Sequence, residues 1–120
     1  MTINHLNLIV ADVTKAVAFF ETYFGFKCEL VKGNNVIAVL KNEENFILVI
    51  MTGKNGDTTY PKDFHIGFML SSPEQVDALY KKLIEGKITV TQSPGKIRDS
   101  YAFYFYFDNL FIEIGHTYRK

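Results

Sequence analysis

The chain repeats itself, and that limits what it can fold into more than any other feature. Asn4-His5-Leu6-Asn7-Leu8 opens the first half and Phe64-His65-Ile66-Gly67-Phe68 opens the second. In each, a helix start follows its histidine at the same spacing, at Asp12 and at Ser72. The closing stretches also match, Phe46-Ile47-Leu48-Val49 against Phe111-Ile112-Glu113-Ile114, which sets Leu48 opposite Glu113 in the alignment. Two copies are too few for a solenoid, which needs at least about three stacked units to bury its faces. Two halves contributing to one pseudo-symmetric sheet is the expected outcome.

Each half reads as β-α-β-β-β. Asp12 is a good helix N-cap, and Val13, Ala16, Val17, Phe20 and Phe24 follow at helical spacing, with Gly25 just beyond the end. In the second half Ser72 caps, Pro73 takes the first helical position and Gln75 completes a capping box. Val76, Leu79, Tyr80 and Leu83 form the apolar stripe of that helix, Asp77 is spaced to pair with Lys81, and Gly86 ends it. Both helices carry one apolar face and need a sheet to cover. Strands are expected at 3–10, 27–31, 36–40 and 46–51, then at 64–70, 88–91, 101–107 and 110–115, separated by Gly33-Asn34-Asn35, by Asn42 to Asn45 and by the two-residue hairpin signal Asp108-Asn109. The polar stretch from Thr52 to Asp63, with Gly53, Gly56 and Pro61, reads as the linker. The reading is therefore α+β: one domain over 1–120, with module one at 1–51, a linker at 52–63 and module two at 64–116.

Composition removes several classes of function. With 120 residues, 48% hydrophobic and 22% charged, the chain has enough apolar material for one core and is neither disordered nor a disulfide scaffold. Lys plus Arg and Asp plus Glu balance at 13 each, and no basic cluster stands out, which argues against nucleic acid as a partner. A lone cysteine, Cys28, cannot close an internal disulfide and suggests a reducing compartment. No apolar run approaches the roughly 20 residues of a membrane span, and the polar Asn4 interrupts the start where a signal peptide would need an apolar core. A soluble, cytoplasmic, single-domain protein without a membrane partner is expected.

Ionisable residues inside apolar strands carry the chemistry. Side chains alternate along a strand, so Glu113 points away from Ile112 and Ile114, His5 away from Leu6, and His65 away from Ile66. If the helices cover the Leu6, Ile66 and Ile112 face, then His5, His65 and Glu113 share the other. A carboxylate taken out of water needs neutralisation, and a cation supplies it. Two imidazoles and one carboxylate match the three protein ligands of an open catalytic metal site. Taken singly, a strand histidine is as a rule a hydrogen-bonded half-buried residue and a strand glutamate a solvated one. It is the two histidines at repeat-equivalent positions, together with the glutamate on the last strand, that favour metal. Tyr104 and Tyr106 share one strand face and Phe103, Phe105 and Phe107 the other; the two tyrosines are candidate substrate-binding residues, although alternating Phe and Tyr is first of all good strand packing. Ser93 to Asp99, with Lys96 and Arg98, reads as a loop able to cover an anion but more simply as a solvated one. His116 reads as a surface residue and Cys28 as a packed thiol. No G-x-S-x-G and no phosphate-cradling glycine loop is present.

The double pattern, with Asn4-His5-Leu6, Phe64-His65-Ile66, Phe111-Ile112-Glu113 and the run Ala18-Phe19-Phe20 to Tyr23-Phe24-Gly25-Phe26, resembles the vicinal oxygen chelate superfamily of glyoxalases, bleomycin-resistance proteins and extradiol dioxygenases. The resemblance covers essentially the whole chain. It implies two βαβββ modules forming a curved mixed sheet, a homodimer whose cups are completed across chains, and a divalent ion (Zn, Ni, Mn, Fe or Co) held by His5, His65 and Glu113. It further implies a lyase, transferase or dioxygenase acting on a small molecule with vicinal oxygens. The other branch of the resemblance is a metal-free protein that sequesters a drug or metabolite in an aromatic cleft. Departures accompany the match. Glyoxalase I relatives usually have a second glutamate where the repeat alignment places Leu48. The turn before the last strand is a tight Asp108-Asn109 instead of the usual Asp-Pro-Asp-Gly-Asn. The sequence is too short for the four-module dioxygenases and stops soon after Glu113, short of the tail of the fosfomycin-resistance transferases.

Overall fold

The computed structural model describes residues 1–119 and divides into two compact units, Met1–Thr59 and a second that begins at Tyr60. The border falls inside the expected linker, which contains a single 3-10 turn at Lys54–Gly56.

In the first unit, strand β1 (His5–Ile9) leads into helix α1 (Val13–Tyr23), followed by β2 (Lys27–Lys32), β3 (Ile37–Lys41) and β4 (Ile47–Met51). The sheet order is β1-β4-β3-β2, with β1 parallel to β4 and the other neighbours antiparallel. A parallel pair needs a long crossover, and α1 with the two strands after it provides one. Leu8, Leu40, Leu48 and Ile50 are at most 2% exposed on the face toward α1, whose Val13, Ala16, Phe19 and Phe20 are buried in turn. Asp12 caps the helix by accepting from the Lys15 N–H at 3.1 Å, and the Asn35 side chain accepts from the Thr14 N–H at 2.8 Å, which ties the β2–β3 turn to the helix start. Gly25, just past the helix, has φ +71, a conformation that glycine adopts freely.

The second unit repeats the plan. Strand β5 (Ile66–Met69) leads into α2 (Pro73–Glu85), then β6 (Gly95–Ile97), β7 (Ser100–Phe107) and β8 (Leu110–Thr117), in the order β5-β8-β7-β6 with β5 parallel to β8. Phe103, Ile112 and Ile114 are fully buried on the side of α2, together with Val76 and Leu83 of the helix. Ser72 accepts from the Gln75 N–H at 3.2 Å, but the Gln75 carboxamide reaches past the cap and accepts from the Ser71 N–H and hydroxyl. Asp77 accepts the Tyr101 hydroxyl proton at 2.5 Å, and this hydrogen bond holds the phenol above its usual pKa. The α+β class and both βαβββ modules are therefore as expected, each module forming its own four-stranded mixed sheet.

Three local expectations are corrected. Residues 88–91 are not a strand; the sixth strand is Gly95–Ile97, within the stretch expected to be loop. Lys87 sits at φ +66 and the Ile88 N–H donates to the Leu83 carbonyl, so the chain is still closing the helix end where the strand was expected. The tight turn at Arg98-Asp99, with Arg98 at φ +54, folds Gly95–Ile97 back onto Ser100 to Ala102. His116 is not a free surface residue: it lies in β8, half-buried, with its Nδ1 at 2.9 Å from the Leu70 carbonyl. The third correction, to the pairing of Leu48, belongs to the site. No helix among the described residues is long and apolar enough to cross a membrane.

Candidate functional site

Strand register decides which side chains meet. Ile66 pairs with Ile112, Gly67 with Glu113, and Tyr104 with Glu113 from the other side. One face of the second sheet thus presents His65, Gly67, Glu113, Phe111, Tyr104 and Tyr106, while Ile112, Ile114, Phe103 and Phe105 pack beneath it. The alternation expected from the sequence holds.

His65 precedes β5 and brings its Nε2 to 3.3 Å from Glu113 Oε1, with the two side chains 37% and 19% exposed. Its Nδ1 lies 3.1 Å from the Asp63 carbonyl oxygen. A carbonyl only accepts, so the proton of the neutral imidazole belongs on Nδ1 and the lone pair on Nε2, which is how outer partners set a ligating histidine. That lone pair faces a carboxylate oxygen. Two acceptors at this distance call for a proton or a cation between them. Aromatic rings fix the imidazole: Tyr104 and Phe111 meet it edge-on at 5.6 and 5.9 Å. The Tyr104 hydroxyl donates to Glu113, and the phenol is held above its usual range by burial first, then by the Glu113 charge and that hydrogen bond, with Arg98 opposing.

The pair stands in an open cavity of about 710 Å³, which Gln92, Arg98, Asp99, Phe111 and Arg119 also line. The Gln92 side-chain oxygen accepts from the Tyr104 N–H at 3.0 Å and so holds the open edge of β7. Tyr106 is on the same sheet face but does not line this cavity; it is 54% exposed, stacks on Phe111 at 4.7 Å and borders an adjoining hollow with Thr89 and Thr91. Of the residues singled out in the sequence, His65, Glu113 and Tyr104 come together here. Arg98, from the loop read as able to cover an anion, joins them, and Gln92 and Arg119 do so unforeseen, because no periodicity marks them.

His5 belongs to the first unit. It is exposed at the start of β1, and its Nδ1 lies 2.8 Å from the Asn4 side-chain oxygen, so it too has an oxygen partner on Nδ1. Among the described residues, no group of three or more His, Cys, Asp and Glu side chains is placed to hold a metal ion. In donor chemistry, imidazole nitrogen with carboxylate oxygen suits a divalent first-row ion.

Register also corrects the pairing of Leu48. His5 pairs with Ile47 and Asn7 with Val49, whereas Gly67 pairs with Glu113, so Val49 is the counterpart of Glu113. Leu48 is 2% exposed in the core and is the counterpart of Ile112. A one-residue slip in an alignment moves every side chain to the opposite face.

Comparison with known proteins agrees with this architecture. The profile of the Glyoxalase/Bleomycin resistance protein/Dioxygenase superfamily matches residues 2–111. A solved structure of a possible glyoxalase from Bacillus cereus is 43% identical, covers 95% of this chain and 97% of its own, and superposes with a TM-score of 0.83. The metallothiol transferase FosB of Lysinibacillus sphaericus is 36% identical over 101 residues, 82% of this chain and 67% of that protein. An uncharacterized protein of Pseudomonas aeruginosa is 34% identical over 87 residues, 68% of this chain and 62% of its own length, so the match spans less than two thirds of that relative. The chain belongs to the Glyoxalase/Bleomycin resistance protein/Dioxygenase superfamily.

Proposed function

We propose that the chain is a divalent-metal-dependent enzyme acting on a small substrate with two neighbouring oxygens, with His5, His65 and Glu113 as the protein ligands of the ion. The observation that carries this reading is the Nε2 of His65 facing Glu113 Oε1 at 3.3 Å while its Nδ1 is taken by the Asp63 carbonyl. Lyase, transferase and dioxygenase chemistry all suit such a site, and the likeness to a metallothiol transferase favours the transferase form. In the proposed homodimer, His5 of one subunit completes the pair of the other. Balanced charge and the single Cys28 support a soluble cytoplasmic protein without a nucleic-acid or membrane partner.

When bound, a divalent ion would act as a Lewis acid that polarises the two substrate oxygens. The chain's own residues do the rest. Asp63 holds the His65 tautomer, Tyr104 fixes one side of Glu113, and Phe111 gives the substrate an apolar wall. Arg98 and Arg119 put positive charge at the cavity lining, where it offsets negative charge that builds up on the substrate.

A second reading rests on a specific feature. Tyr104, Phe111 and Tyr106 stack in series at 5.3 and 4.7 Å, a shelf on which a planar molecule could lie without any metal. Elemental analysis of protein purified without a chelating tag separates the two. About one divalent ion per chain is expected; protein that stays metal-free after incubation with Zn, Ni, Mn, Fe and Co would leave the sequestering role in its place.

A further inference from the structure

Gly67 is a strand residue that its own backbone does not explain. Glycine in a strand interior gives up side-chain packing and costs conformational entropy, and it commonly marks a place where something else must come close. Gly67 is not among the residues with positive φ, so it is not there for a left-handed turn. A Cβ built on it would meet Glu113 Oε1 at 3.5 Å, Glu113 Cβ at 3.8 Å and the Glu113 carbonyl oxygen at 3.9 Å. All three nearest atoms belong to Glu113.

The sheet explains why. Glu113 lies on β8 between two register partners, Tyr104 on β7 and Gly67 on β5. The Tyr104 side is occupied by a phenol that donates to the carboxylate. On the other side, His65 is two residues before Gly67 on the same face, so a carboxylate that reaches His65 Nε2 must lie across the place where a side chain at 67 would stand. The first unit acts as an internal control. There the position equivalent to Gly67 is Asn7, and its register partner is Val49. Where no carboxylate has to be seated, a side chain is kept.

We infer that Gly67 is a positioning residue for Glu113: the space over it is the seat in which the carboxylate turns toward His65. This rests on the metal reading of His65 and Glu113 and adds the residue that sets their geometry. Alanine at 67 makes ordinary van der Waals contact with the carboxylate and leaves it in place. Valine puts two γ-methyl groups beside Cβ and pushes the carboxylate toward solvent. Since valine favours strands, the fold does not suffer.

Four variants of the full chain test this by calorimetric titration with Mn(II), alongside thermal unfolding. Gly67→Ala should bind within about threefold of the parent. Gly67→Val should lose about 10–100-fold in affinity, the range for partners that orient a ligand, while melting no lower than the parent. Gly67→Val combined with Glu113→Gln should bind no worse than Glu113→Gln alone, because the two act through one group. Gly67→Val binding as tightly as the parent would overturn the inference, as would additive losses. If the parent itself binds no Mn(II), the metal reading fails, and a crystal structure of Gly67→Val decides the positioning role independently. Glu113 turned away from His65 supports it; the 3.3 Å contact kept intact refutes it.

Discussion

Replacing His65 with alanine should abolish divalent-metal binding by the full chain. Only three protein ligands are proposed, and removing a partner that merely orients a ligand already costs about 10–100-fold. Deleting a ligand itself should exceed that range, so a loss of more than about 100-fold is expected in a calorimetric titration with Mn(II) or Co(II). His5 and Glu113 would remain, but one imidazole and one carboxylate fall one protein ligand short of an open metal site. Stability should change little, because the His65 side chain is 37% exposed and holds no part of the buried core. A His65→Ala protein that keeps its metal would remove His65 from the ligand set.

The second large effect is an absence of turnover. An isomerase of the glyoxalase I kind takes a proton from a carbon next to a carbonyl and needs a base within hydrogen-bond reach of it. Glu113 has its repeat counterpart in Val49, which can neither accept a proton nor ligate. Moving the comparison from Leu48 to Val49 changes the residue and leaves the chemistry of the conclusion intact. His5, His65 and Glu113 are committed as ligands in the proposed site. Tyr104 is a weak candidate for the base, because an ordinary phenol stays protonated at neutral pH. With Ni, Zn, Co or Mn supplied, conversion of the hemithioacetal of methylglyoxal and glutathione should not rise above the uncatalysed rate, followed by the absorbance of the thioester product. Efficient turnover that survives Tyr104→Phe and Tyr106→Phe would contradict the argument from Val49.

Some of this was legible in the residues alone, for a physical reason. Helix starts depend on local chemistry, so Asp12, Ser72 and Pro73 marked both helices to within a residue. Strand faces depend on strict alternation, so His65 and Glu113 could be set opposite Ile66 and Ile112, and Tyr104 opposite Phe103, while only the ladder shows that Tyr104 shares the Glu113 face. Pairing between strands is a different matter. Closing strands that look alike can be aligned in two ways one residue apart, and only the ladder separates Val49 from Leu48. Residues 88–91 are apolar and β-branched enough to suggest a strand, yet the helix end and the Arg98-Asp99 turn placed the β6 pairing further on. The Asp63 carbonyl that sets the His65 tautomer is backbone, which no side-chain pattern announces. Arg98 reaches the cavity from a turn whose conformation arginine rarely adopts.

The central claim is that His65 and Glu113 hold a divalent ion together with His5. Crystals of the full chain grown with Mn(II) or Co(II), with anomalous scattering used to locate the ion, test it most directly. One ion per site is predicted, about 2.0–2.2 Å from His65 Nε2, a Glu113 carboxylate oxygen and His5 Nε2 of the same or the partner chain. An ion bound elsewhere, with His65 and Glu113 still in direct contact and His5 facing solvent, would contradict it.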